Sequence, residues 1–265
     1  MQWEHLTSSS FANAVESTRG TAIFPLGVLE AHGAHLPLGQ DMLTAHAVAC
    51  RAAETEPAIV FPAYPLTLND ESAHLSGSVV LPRDLMLALF DHLCTEMGRN
   101  GLRRIVIYSG HGGNSHMIPF YMQTYREKPR PFLIYFANIP YFTEEEVAAM
   151  ATDELGHACE AETSVALYLH EDLVHMDALP EPFTNLKRTA TLNEAHLQTP
   201  FDWYGMYPTM YVGDAAAATA QKGQRIVERQ ANALAQAIGA VKEDQTLPAL
   251  AKAYDAGREN PGSAY

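Results

Sequence analysis

A chain of 265 residues that is 47% hydrophobic can bury a large α/β core, and at roughly 100–200 residues per domain it is expected to form one or two domains. Its formal net charge of −14 excludes the basic surface that sequence-independent binding to nucleic acid or anionic lipid requires, so small molecules or copies of itself are the expected partners. Three cysteines, Cys50, Cys94 and Cys159, cannot frame a disulfide-held fold. No stretch reaches the roughly 18–20 apolar residues of a membrane span, and residues 1–20 lack the basic start and apolar middle of a signal peptide, so a cytoplasmic protein is expected.

From Thr21 to Leu29 the run TAIFPLGVL has the length of a buried strand and ends abruptly in Glu30-Ala31-His32-Gly33. Asp41 to Glu54 is predicted as a helix, Ala58 to Pro62 as a short strand, and Pro82 to Asn100 as a second helix. In that second helix Met86, Leu89, Phe90, Leu93 and Met97 keep helical spacing, Pro82 suits the first turn, and Gly101 can close the end. Arg103 to Ser109 is another β-rich run, followed by the glycine loop Gly110-His111-Gly112-Gly113-Asn114 and a helix from Ser115. Pro131 to Asn138 repeats the strand pattern, and a helix is predicted over Ala158 to His170. Strands alternating with helices predict a mostly parallel sheet covered on both faces, with ligands bound beyond the carboxyl ends of the strands. Asp177 to Gly213 mixes prolines, aromatics and polar residues with no sustained period, and reads as a surface excursion that covers the site or meets another subunit. Asp214 to Lys242 is alanine-rich and helical, and the last roughly fifteen residues read as loosely held. With no internal repeat and no linker composition, residues 1–265 are expected to form a single domain.

Twelve histidines are more than packing requires, and several stand beside Gly, Asp and Glu instead of inside apolar runs. Glu30 and His32, two apart in an extended segment, point to the same side and can face one metal cluster. Asp41 follows the turn Gly33-Ala34-His35-Leu36-Pro37-Leu38-Gly39 where a helix begins; alone it reads as an N-cap, in this company as a carboxylate facing a metal. His111 lies in a glycine loop after a strand, where the backbone can approach an ion or substrate closely. His157 to Ser164 forms a third cluster at a helix start, with Glu160 and Glu162 in an acidic first turn that is also ordinary helix stabilisation. His35 reads as an orienter of a neighbouring ligand. Glu71 and His74 either line a pocket or belong to a polar loop, with the loop preferred. Cys159 is read as packing, because positions two apart seldom give a thiolate–imidazole pair its geometry with His157.

These blocks are similar to those of the creatininase (creatinine amidohydrolase) family. Phe24-Pro25-Leu26-Gly27-Val28-Leu29-Glu30-Ala31-His32-Gly33, continuing to Asp41, resembles its opening signature. Gly110 to Ser115 resembles the second block and His157 to Ser164 the third, in the same order and at similar distances between Thr21 and Asp172. The resemblance implies a three-layer α/β/α domain assembled as a homohexamer, with two divalent cations of zinc, manganese or iron per chain. It implies that Glu30 and His111 hold one cation and His32 the other, with the Asp41 carboxylate bridging them and Glu162 completing the second site. Creatininase draws an acidic ligand from the block where this chain has Gly113, which leaves the last ligand open between Glu162 and Glu160, the competing candidate. Oxygen and imidazole donors suit those metals, and a bridged pair lowers the pKa of a shared water to give a hydroxide near neutral pH. In the implied catalytic set of His157 and Glu162, His157 donates the proton that the amine leaving group needs.

The implied function is a metal-dependent amidohydrolase that cuts a non-peptide C–N bond in a cyclic amide, a formamide or a small linear amide. The alternatives are peptide trimming during maturation of a modified peptide and a metal-stabilised oligomeric scaffold without turnover. The family often has Gly where this chain has Cys159, Pro where it has Ala34, and a Glu-His pair with Phe-Pro-Gly where it has Glu71-Ser72 and Leu75-Ser76-Gly77. These departures imply a differently shaped pocket. Creatininase stacks its substrate on tryptophans close to the third block, whereas Trp3 and Trp203 are expected to lie away from His157, so creatinine is not the expected substrate.

Overall fold

The computed structural model describes residues 1–152 and 154–262. In chain order the elements are α1 (Ser8–Ser17), β1 (Thr21–Leu26), α2 (Gln40–Thr55), β2 (Ile59–Val60), α3 (Arg83–Arg99), β3 (Arg104–Ser109), α4 (Asn114–Thr124) and β4 (Leu133–Phe136). They continue with α5 (Glu144–Ala148), α6 (Glu160–Leu169), α7 (Ala190–Glu194), α8 (Asp202–Met206), α9 (Ala220–Glu243) and α10 (Thr246–Glu259). The strands form one parallel sheet in the order β2-β1-β3-β4. Leu26 pairs with Ser109, so the two central strands end side by side. No helix among the described residues is long and apolar enough to cross a membrane.

Alternation along the strands separates two apolar layers. Ile23 of β1 and Val106 and Tyr108 of β3 face one side, where they meet Val48 and Ala52 of α2, Val165 of α6, and Ile226, Leu234 and Ile238 of α9. Ala22, Phe24 and Leu26 of β1 with Ile105 and Ile107 of β3 face the other side, against Phe90 and Met97 of α3 and Ile118 of α4. The Phe24 and Phe90 rings stack there with centroids 5.3 Å apart. Helices therefore cover both faces of a parallel sheet, the α/β architecture that the alternating pattern predicts.

Several boundaries differ for identifiable reasons. β1 stops at Leu26 instead of Leu29, because Gly27 leaves the sheet to donate its N–H to the Tyr64 carbonyl and Val28 then bridges Leu66 in antiparallel fashion. The helix expected from Asp214 starts at Ala220: Asp214 turns its carboxylate onto the Ala216 N–H, and Thr219 caps Lys222. The helix expected from Ala158 starts at Glu160, because Ala158 has φ +56° and lies outside helical space. The excursion over 177–213 holds the short helices α7 and α8, and its end returns to bridge Phe183 with Gly213. Of the terminal stretch read as loose, residues 251–259 belong to α10, which has no fully buried residue and is tied down through Arg258 to the Arg126 and Glu127 carbonyls, while residues 263–265 lie outside the described residues. The helix α1, closed by a capping box between Thr7 and Ser10, went unread because its apolar face is short.

Candidate metal centre

Glu30 and His32 follow the carboxyl end of β1, and His111 follows that of β3, its neighbour in the sheet. Asp41 enters from above, in the first turn of α2, and two glycines make its approach possible. A Cβ on Gly27 would overlap the Met42 backbone, and one on Gly110 would overlap the Asp41 carbonyl. The start of α2 thus lies directly on the ends of both central strands. The N-cap of that helix is Gly39, so Asp41 is free of the capping role that its position suggested. Glu162 arrives from the first turn of α6, where the Ala158 N–H donates to its Oε2 at 2.6 Å.

The side chains converge. Asp41 Oδ1 lies 3.0 Å from His32 Nε2, and Asp41 Oδ2 lies 2.9 Å from His111 Nδ1. Glu30 Oε1 stands 3.1 Å from His111 Nδ1 and 3.1 Å from His157 Nε2, while Glu30 Oε2 is buried with no hydrogen-bond partner. Glu162 Oε2 is 4.0 Å from His32 Nε2. Ligand atoms of Glu30, Asp41 and His111 fall within 4.8 Å of one another, as do those of Glu30, His32 and His157. The second grouping, with His157 beside His32, was not anticipated from sequence. Buried carboxylates that face imidazoles, one with an orphaned oxygen, fit a divalent cation: such groups are costly to bury otherwise.

The electrostatics follow from this crowding. Burial alone would raise the Glu30 carboxyl, but hydrogen bonds and charge from His111 and His157 hold it far below the usual carboxylate range. Asp41 is lowered in the same way, against burial, chiefly by His32 and His111. Burial would lower His32, yet Asp41, Glu162 and Glu30 raise it to about 9. His111 is raised well above its ordinary value against burial, by Asp41, Glu30 and Glu71. Glu162 is raised by burial, with Asp41 adding to the effect and His157 and His32 opposing it. A cluster with this distribution of charge is a functional-site candidate on physical grounds.

His157 is held by the returning end of the excursion: its Nδ1 lies 2.9 Å from the Met210 carbonyl, and the Val212 N–H donates to the His157 carbonyl at 2.8 Å. Both Ala158 and Met210 have positive φ, +56° and +52°, a backbone cost that clusters at functional sites. A cavity of 410 Å³ opens above the centre, lined by Glu30, Glu71, His111, His157, Trp203 and Met210 among others. Trp203 corrects a sequence expectation, for its ring is edge-on to His157 with centroids 6.0 Å apart. The excursion folds back over the site and supplies the aromatic wall that its distance in sequence concealed.

Other candidates are sorted by their contacts. Glu160 turns away, taken by Lys222, by the Ala151 and Thr152 N–H groups and by the Thr152 hydroxyl. His35 reaches Thr163 Oγ1 at 2.8 Å, beside Glu162, and burial with the nearby His32 charge pushes it down to about 4. Cys159 is buried and its thiol is pushed up to about 11 by that burial, consistent with packing. His74 lies 2.7 Å from the Pro208 carbonyl, and Glu71 faces the cavity, so the loop reading undervalued Glu71. A lone acid in a polar loop carries no periodicity signal; its place at the acid of the family's Glu-His pair is the signal that favours it.

Comparison with known proteins gives the same frame. The creatininase family, described as creatinine amidohydrolase, matches residues 4–238. A mycofactocin precursor peptide peptidase of Mycolicibacterium smegmatis is 28% identical over 240 residues, covering 87% of this chain and 89% of that protein. A creatinine amidohydrolase of Pseudomonas putida is 24% identical, over 88% of this chain and 94% of its own. A 3-dehydro-scyllo-inosose hydrolase of Thermotoga maritima is 25% identical, over 78% and 72% respectively. Among solved structures, the Zn–Zn form of a glutamate-to-glutamine creatininase variant superposes with a TM-score of 0.74 at 23% identity, covering 92% of this chain and 98% of the other. A manganese creatininase gives 0.73 at 22% identity, covering 92% and 99%. The chain belongs to the creatininase family.

Proposed function

We propose that this member of the creatininase family is a single-domain, dinuclear metal-dependent hydrolase acting on a C–N bond of a small amide. The observation that carries the reading is the Asp41 carboxylate, with one oxygen 3.0 Å from His32 and the other 2.9 Å from His111. That is the disposition a carboxylate needs in order to bridge two cations. Glu30 and His111 would hold one ion, His32 and Glu162 the other. Oxygen and imidazole donors without thiolate suit zinc, manganese or iron. Bound there, such ions lower the pKa of a water and polarise an amide carbonyl.

The chain's own residues do the rest. His157 donates from Nδ1 to the Met210 carbonyl, which fixes the ring so that Nε2 faces Glu30 and the cavity. A proton held on that Nε2 passes to the nitrogen of the departing amine as the C–N bond breaks. Trp203 and Met210 form an apolar wall that excludes water and seats a flat substrate. Cyclic amides, formamides and small linear amides fit this cavity, and the Trp203 wall returns creatinine to that set. Peptide trimming is the second reading, favoured by the 28% identity to a precursor peptide peptidase. The hexamer and the cytoplasmic location belong to the same proposal, on family resemblance and composition; sedimentation tests the assembly.

The test is metal analysis joined to a substrate panel of creatinine, other cyclic amides, formamides, linear amides and short peptides. The expected result is roughly two ions per chain, with at least one lost in Asp41→Asn. His157→Ala is expected to keep its ions and lose about 10²–10⁴-fold in kcat. Turnover unchanged in His157→Ala, or two ions retained in Asp41→Asn, refutes the assignments. A metal-loaded protein inert on the whole panel favours the scaffold reading over hydrolysis of these substrates.

A further inference from the structure

We propose that Glu71 is the positioning carboxylate of His111, engaging the ring nitrogen turned away from the metal centre, and that Gly113 lacks a side chain in order to admit it. The proposal rests on the reading of Glu30, Asp41 and His111 as a cation site. The two nitrogens of the His111 ring have different surroundings. Nδ1 lies 2.9 Å from Asp41 Oδ2 and 3.1 Å from Glu30 Oε1, whereas Nε2 faces Glu71 Oε1 at 3.4 Å. A neutral ring that offers Nδ1 to a cation carries its proton on Nε2, and a buried N–H requires an acceptor. Nε2 is buried and makes no well-formed hydrogen bond, and the carboxylate facing it stands at ion-pair distance, slightly too far for one. A small inward movement of Glu71 closes that gap.

Gly113 supplies the independent observation. Its φ of −58° and ψ of −27° are ordinary right-handed values, so the backbone there makes no demand for glycine. The space does. A Cβ at this position would lie 2.7 Å from Glu71 Oε1 and 2.6 Å from His111 Nε2, closer than real Cβ contacts allow. Any side chain at 113 therefore wedges apart the pair that the absence of one lets meet. Glu71 is also anchored to the centre. It sits in the short turn Asp70–Ser72, where Asn69 Nδ2 donates to the Leu29 carbonyl at 2.8 Å, immediately before Glu30, and the Ser72 hydroxyl donates to the Asn69 side chain. The loop that carries the acid and the strand end that carries Glu30 are thus one hydrogen-bonded unit. A carboxylate behind a ligating histidine fixes its tautomer and raises its basicity.

The experiment is zinc titration of chelator-stripped wild type, Glu71→Gln, Glu71→Asp and Gly113→Ala in competition with a chromophoric chelator, with thermal melts of each stripped protein. In Glu71→Gln one of the two ions is expected to bind roughly 10–100-fold more weakly while the other is unchanged, and the stripped protein melts like wild type. Glu71→Asp retains part of the affinity, and Gly113→Ala reproduces the selective loss with Glu71 still present. Wild-type affinity for both ions in Glu71→Gln overturns the proposal. So does equal loss of both ions together with a lower melting temperature of the stripped protein, since that marks a merely structural role. A wild-type protein that binds no zinc overturns the underlying site assignment as well, whereas two ions bound as tightly in Glu71→Gln as in wild type removes only the role of Glu71.

Discussion

In the metal-free protein His32 and His111 should both be imidazolium at neutral pH, and loading the centre should expel their extra protons. His32 is fully buried, which by itself opposes charge, yet Asp41, Glu162 and Glu30 raise it to about 9; His111 moves the same way against burial, under Asp41, Glu30 and Glu71. A histidine that gives its lone pair to a cation cannot keep that proton, so loading at about pH 7 releases roughly two protons per chain. Because each ring serves a different ion, each ion's apparent affinity falls about 10-fold for each unit decrease in pH over the range where both rings are charged, and the product of the two affinities about 100-fold. The stripped fold is affected too. Raising His32 from 6.5 to about 9 corresponds to about 3 kcal/mol, and because the folded-state value is the higher one, this stabilisation is fully present below pH 6.5 and lost as pH rises through about 9. Cys50 and Cys159, pushed up to about 11 by burial, add losses of the same sign only above pH 9. Calorimetric zinc titrations in buffers of different ionisation enthalpy count the protons, and urea midpoints of stripped protein at pH 6.5 and 9 read the stability. His32→Gln should release about one proton fewer. Zinc binding without proton release, or stripped protein equally stable at both pH values, refutes the charge assignment.

Trp203→Ala should leave metal content unchanged and raise KM about 10–100-fold for substrates seated on the apolar wall, with Trp203→Phe retaining most of the binding; steady-state kinetics beside metal analysis check this. Glu160→Gln should destabilise the fold by about 1–3 kcal/mol in denaturant titrations, because the partly exposed Lys222 loses its charge-assisted bond to a buried carboxylate where α6 meets α9. Replacing both residues of that pair with methionine should recover much of the loss, and a double variant no more stable than the single one would contradict the account.

The parts of the centre that could be read from sequence are those whose position follows from chain direction. Glu30, His32 and His111 stand just past predicted strands, and in a parallel sheet all such ends lie on one side. Knowing that β1 and β3 are neighbours was unnecessary for naming them, and the pairing of Leu26 with Ser109 only brings them closer. Asp41 and Glu162 were legible for a complementary reason: each opens a helix that follows such a strand or loop, so its first turn faces the same edge. Their ordinary roles in helix stabilisation compete with this reading. The structure separates the two at Asp41, whose helix is capped by Gly39. Glu160 and Glu162 are alike in sequence, and the helical rotation between positions two apart, about 200°, sends one to Lys222 and the other toward His32.

Trp203 and Glu71 were beyond that logic because neither belongs to a periodic element. Trp203 lies in α8, a five-residue helix inside an aperiodic excursion, and reaches His157 only because Met210 and Val212 return to bracket that histidine. The glycines make the point sharper. Gly27 and Gly110 are small so that the start of α2 can rest on two strand ends, whereas Gly113 has ordinary helical angles and an open demand for space between an acid and an imidazole. One letter thus encodes two different neighbours, and only the neighbours distinguish them. A missing side chain in a helical conformation, beside a buried ring nitrogen without a hydrogen bond, is itself a positive signal: the chain has left room there for a group that comes from elsewhere.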